Sequence, residues 1–128
     1  MAKIPFFSVA SVLCWITLLI GTLTPGDELP ELVFRLYDKL LHFGVFLVFT
    51  SLTLIAVHRE KFLWSGRRNW LNVAVVVAVI TSVATEGLQH FVPGRFMSFA
   101  DLLANMIGVL GGYGLFKVWV VLFGRTSP

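Results

Sequence analysis

Between Trp70 and His90 the chain reads WLNVAVVVAVITSVATEGLQH. The run from Val73 to Val83 is broken only by Thr81 and Ser82. An apolar segment of this length suits a bilayer, whose hydrocarbon core takes about 20 residues of helix. Its far end differs. Glu86, Gln89 and His90 stand at i, i+3 and i+4, on one helical face. A carboxylate beside hydrocarbon is costly unless it turns into a bundle and finds a partner. One segment therefore predicts both a membrane helix and a polar site at one of its ends.

Three further stretches share this character, so spans are expected at about residues 4–23, 40–57, 70–88 and 102–123. The expected fold is all-α, an integral membrane four-helix bundle forming one domain over residues 1–128. Composition agrees: 57% of residues are hydrophobic and 13% charged, apart from ordinary soluble proportions. Lys3 before the first run resembles the start of a signal peptide. The run is too long for one, however, and no A-x-A-like site follows, so a retained helix is expected. Cys14 is the sole cysteine, which excludes an internal disulfide or a cysteine-based zinc cluster.

Loop charges set the expected orientation. The first loop holds Asp27, Glu28, Glu31 and Asp38 against Arg35 and Lys39. The second holds Arg59, Lys61, Arg67 and Arg68 against Glu60. Lysine- and arginine-rich loops stay in the cytoplasm, so both termini and the second loop are expected inside. Trp64, Trp70 and Trp119 then gather at that interface. A pI near 9.4 need not mean nucleic acid, because the charge is segregated by loop, and no nucleic-acid partner is expected. The localisation implied is multi-pass, in a bacterial cytoplasmic (inner) membrane.

Weaving the chain through a membrane brings three polar groups to one side, predicted to be the outer face. Asp38, Lys39 and His42 open the second span, with Asp38 and His42 four apart on one face. Glu86, Gln89 and His90 close the third. Arg95, Ser98, Asp101 and Asn105 lead into the fourth, after a Pro93-Gly94 turn. Ser98 with Asp101 resembles a capping box in which Asp replaces the usual Glu. Asp101, Asn105, Gly108 and Gly112 line one helical face, and the glycine pair predicts close helix packing. Lys39, Glu86, Arg95 and Asp101 are expected to form one charge-paired network, with His42 and Asn105 beside it.

His42, Glu86, His90 and Asp101 are acceptable ligand types, but no motif such as H-E-x-x-H joins them, so neither a metal nor a cofactor is expected. Ser98, His42 and Asp101 compose a triad on paper, without the nucleophile elbow that would present the serine.

These motifs carry a family resemblance. Asp38-Lys39-Leu40-Leu41-His42-Phe43 resembles the "DK-x-x-H-F" signature of VanZ-like membrane proteins. Glu86-Gly87-Leu88-Gln89 is similar to their "E-x-x-Q". The stretch from Arg95 through Ser98, Asp101 and Asn105 to Gly108 is similar to their "R-x-x-S-x-x-D-x-x-x-N-x-x-G". Pro25 matches a proline after the first helix. The resemblance implies a small multi-helix membrane protein, in a family named for a member linked to glycopeptide resistance.

Two functions remain open on the sequence. In the preferred one the chain is a non-catalytic cell-envelope or antibiotic-resistance-related protein, whose polar cluster locks the bundle and whose loops meet a membrane-protein partner. In the other it is an enzyme or carrier acting on a phosphate-bearing lipid headgroup, with Lys39, Arg95 and Arg35 on the phosphate and His42, Glu86 and Asp101 as acid–base groups. Membrane lipid is the expected partner in both.

Overall fold

The computed structural model describes residues 4–26, 37–64 and 69–124. Charges at Lys3, Asp27, Glu28, Glu31, Arg35, Arg67, Arg68 and Arg125 lie outside these residues. Within them the chain forms four long helices, α1 (Phe6–Leu23), α2 (Asp38–Arg59), α4 (Trp70–Gln89) and α5 (Phe99–Phe123), and one short turn, α3 (Lys61–Trp64). There is no strand among the described residues. All four long helices are apolar enough to cross a membrane, with mean hydropathy from 1.8 to 2.2. Only 17% to 33% of each is buried inside the protein. Most of their apolar surface therefore needs lipid rather than a core to cover it.

Helix α2 is the hub. It packs along α5 most extensively and also against α1 and α4. The α2–α5 seam is close because α5 presents glycine. A methyl group on Gly112 would sit 2.7 Å from the Leu47 carbonyl oxygen and 2.8 Å from Thr50 Cβ. One on Gly108 would press on the Phe43 carbonyl and lie 3.0 Å from Phe46 Cβ. The glycine stripe is thus a helix interface, as small residues at a four-residue spacing allow. Hydroxyls bind α1 to its neighbours: Ser11 and Thr53 are 2.6 Å apart, and Trp15 Nε1 donates to Thr81 at 3.4 Å.

Among the described residues two apolar clusters fill the interior. Leu18, Phe46, Phe49, Ala78 and Val109 pack nearer the Asp38 end. Leu54, Ile55, Ala74 and Phe116 pack at the Arg59 end, where Trp64, Trp70 and Trp119 close over them. The Trp64 and Trp70 rings meet edge to face at 5.0 Å, and the Arg59 guanidinium lies 5.6 Å from the Trp119 ring.

The Arg59 end also holds a contact that loop-charge counting passed over. Helix α1 starts after Pro5 with no side-chain cap of its own, and the N–H groups of Phe7 and Ser8 have no partner within the helix. Glu60 supplies the partner from another part of the chain. Its carboxylate accepts the Phe7 N–H at 2.6 Å, the Ser8 N–H at 3.0 Å and the Ser8 hydroxyl. A buried carboxylate at a helix N-terminus satisfies the orphan donors and favours the dipole. The available signal was a lone acid between Arg59 and Lys61, together with a capless helix start.

Candidate functional site

The site forms at the opposite end, where α2 begins, α4 ends and the turn at 91–94 leads into α5. Gly94 takes φ 71°, a left-handed conformation that glycine adopts without strain, so the chain reverses in a few residues. The turn docks on α1 through the Gly26 N–H, which donates to the Pro93 carbonyl at 3.0 Å. Helix α5 begins at Phe99, three residues ahead of the span expected from hydropathy, because Ser98 caps it. The Ser98 hydroxyl accepts the Asp101 N–H at 3.4 Å. The reciprocal half of the box comes from Glu86 on α4, which receives the Ser98 N–H at 3.5 Å.

Glu86 is 2% exposed and Asn105 fully buried. The Asn105 amide donates to Glu86 Oε1 at 3.1 Å. On its other side the Asn105 Oδ1 lies 2.9 Å from His42 Nδ1, which is also 3.4 Å from Glu86 Oε1. The second ring nitrogen, Nε2, faces Asp38 Oδ1 at 3.6 Å, one turn back on α2. Lys39 Nζ reaches Asp101 Oδ1 at 3.3 Å. Three helices therefore share one polar cluster, in which each buried group meets its need for partners across a helix boundary.

The expected charge network is corrected in two places. Glu86 pairs with His42 and Asn105 rather than with Lys39 or Arg95. Arg95 turns to α1, where Nε donates to the Thr24 carbonyl at 3.3 Å and a terminal nitrogen to Gly21 at 2.9 Å. A cation on the last carbonyls of a helix satisfies open acceptors and complements the dipole. Arg95 thereby fastens α1 to the α4–α5 turn. His90 also departs from its expected cluster: it is exposed, with its ring against Phe91 at 5.4 Å. The paper triad does not form: the His42 ring turns Nδ1 to Asn105 and Glu86 and Nε2 to Asp38, and neither nitrogen meets the Ser98 hydroxyl.

Beside the cluster lies a cleft of 260 Å³. Helix α1 lines it with Thr17, Leu18, Gly21 and Thr22, and α2 with Leu41, Val45 and Phe46. Asp38, His42, Gln89 and Arg95 supply its polar lining. Of the residues singled out from the sequence, Asp38, Lys39, His42, Glu86, Ser98, Asp101 and Asn105 join the cluster, while Gln89 and Arg95 face the cleft. Gly108 and Gly112 lie below, in the α2–α5 seam.

Four spans with a polar cluster at one end define a multi-pass integral membrane protein of the helical-bundle class. The family model for VanZ/LLP1 matches residues 4–121, nearly the whole chain. The protein belongs to the VanZ/LLP1 family. No curated protein and no solved structure matches the chain.

Proposed function

We propose that this protein is a non-catalytic component of the bacterial cell envelope that holds a phosphate-bearing amphiphile in the cleft between α1 and α2. The cleft carries this reading. Its walls are apolar side chains of two membrane helices, and Arg95, Gln89, His42 and Asp38 bring polar groups to the same 260 Å³. Ligand sites commonly combine apolar walls with a few placed polar groups. A lipid has the same division between chain and headgroup, and a guanidinium suits phosphate. The Glu86–Asn105–His42 core is then the rigid floor of the site.

In the same proposal the protein lies in the cytoplasmic membrane with both termini inside, so that the cleft faces outward. Loop charge supports that orientation. The family connection agrees with an envelope or resistance-related role.

A second reading makes the protein an enzyme or carrier acting on the headgroup. It is favoured by His42, which lies beside carboxylates and lines the cleft. The two part on turnover.

The experiment is native mass spectrometry and thermal unfolding of the detergent-purified protein with phosphatidic acid, a polyprenyl phosphate or diacylglycerol. The phosphate-bearing lipids should bind and raise the melting temperature, and diacylglycerol should not. Arg95→Gln should weaken binding severalfold. Equal binding of all three lipids would refute the reading, and release of phosphate from a bound lipid would favour the enzyme.

A further inference from the structure

The hydrogen bonds around His42 fix its tautomer. Because the Asn105 amide nitrogen donates to Glu86 Oε1, the Asn105 oxygen is left to accept. It lies 2.9 Å from His42 Nδ1, so Nδ1 carries the proton in the neutral ring. Nε2 then presents a lone pair. It faces Asp38 Oδ1 at 3.6 Å, beyond hydrogen-bond length. Asp101 completes the group: one ligand atom from each of Asp38, His42 and Asp101 lies within 4.8 Å of the other two. Three lone-pair donors thus converge with no proton assigned between them.

That spacing has a chemical meaning. Bonds of about 2.1 Å to a tetrahedral metal put neighbouring ligand atoms about 3.4 Å apart. The Nε2–Oδ1 separation already fits, and a side-chain shift of about 1 Å would bring Asp101 in. Ligating histidines usually donate their other N–H to a fixed acceptor, which orients the ring. Asn105 and Glu86 do this for His42 from two other helices.

Charge points the same way. Asp38, Glu86 and Asp101 place three carboxylates here, with Lys39 bonded to Asp101 and Arg95 engaged with the carbonyls of α1. Even with both cations counted, acids outnumber bases among these residues. The Lys39 side chain is 64% exposed and that of Asp101 9%, so the ammonium approaches from the solvent side and can be displaced.

We propose that Asp38, His42 and Asp101 bind one divalent transition-metal cation of the zinc class. One imidazole nitrogen with two carboxylates is a borderline donor set, suited to zinc or manganese rather than calcium. The sequence showed no such site because two ligands share a turn of α2 while the third stands on α5. Asp38 and His42 also line the cleft, from which water or a bound anion would complete the coordination.

The test needs no lipid, so it stands or falls apart from the amphiphile reading. The full chain, purified in detergent and stripped with a chelator, is titrated calorimetrically with zinc chloride. One saturable zinc per chain is expected. His42→Gln and Asp38→Asn should each lower affinity at least tenfold, whereas His90→Gln and His58→Gln should leave it unchanged. Lys39→Gln keeps every ligand and removes the competing ammonium, so it should tighten binding severalfold. That gain is readable even where a loss variant fails to fold. Absence of saturable binding, retention of affinity in His42→Gln, or calcium competing as well as zinc would overturn the proposal. So would failure of Lys39→Gln to tighten binding, and so would a loss on removing His90 or His58.

Discussion

Exchanging the acid and the amide between Glu86 and Asn105 tests whether the buried cluster is a matched set. Glu86 offers two acceptor oxygens to two donors, the Asn105 amide at 3.1 Å and the Ser98 N–H at 3.5 Å. Glu86→Gln leaves one oxygen and one NH2, so either rotamer sets a donor against a donor. Losing a hydrogen bond to a buried charged group costs about 1.5–3 kcal/mol. The contact to Ser98 is long, and pairs within membrane bundles average about 0.6 kcal/mol. A loss of about 2 kcal/mol is therefore expected. Asn105→Asp puts a second carboxylate against Glu86 and removes its donor, costing about 3 kcal/mol or more at this burial. The double variant restores the match. The new amide donates to the new carboxylate, the Ser98 N–H keeps an acceptor, and His42 still donates to position 105. A double-mutant cycle by thermal unfolding in detergent, followed by tryptophan fluorescence, should give a favourable coupling of about 2 kcal/mol or more. Additive losses would show that the hydrogen bonds of Glu86 are not what the bundle depends on.

Four further outcomes follow from other parts of the chain. Gly112→Leu should separate α2 from α5 and destabilise by at least about 2 kcal/mol, since even a Cβ would meet Leu47 and Thr50 below 3 Å. Leu110→Ala, at a position 71% exposed, should change unfolding in detergent by less than about 0.5 kcal/mol. Glu60→Gln weakens the cap on α1 and should cost about 1 kcal/mol, visible as faster amide exchange at Phe7 and Ser8 with the Asp38 end unaffected. Orientation is tested in a Cys14→Ser background: Glu28→Cys should react with an impermeant thiol reagent in intact cells and Gly66→Cys should not, the reverse pattern refuting cytoplasmic termini.

The sequence by itself determined the membrane class, because apolar runs of bilayer length have one stable form in lipid, a helix satisfying its own backbone. It also placed Asp38, His42, Glu86, Asp101 and Asn105 at one end, since successive spans reverse direction. The glycine stripe was legible too, as spacing along one helix fixes a face. What it left open was which polar group meets which. Partners on different helices depend on the rotation and approach of each helix about its axis, and those are set by packing such as Gly108 and Gly112 against α2. A turn of a few tens of degrees would exchange the neighbours of Glu86. Only the tertiary structure sent Arg95 to the carbonyls of α1, gave Glu86 to Asn105 and His42, and put Glu60 on the start of α1. The convergence of Asp38, His42 and Asp101 was likewise decided in space, where side chains from two helices far apart in the chain bring their ligand atoms within 4.8 Å of one another.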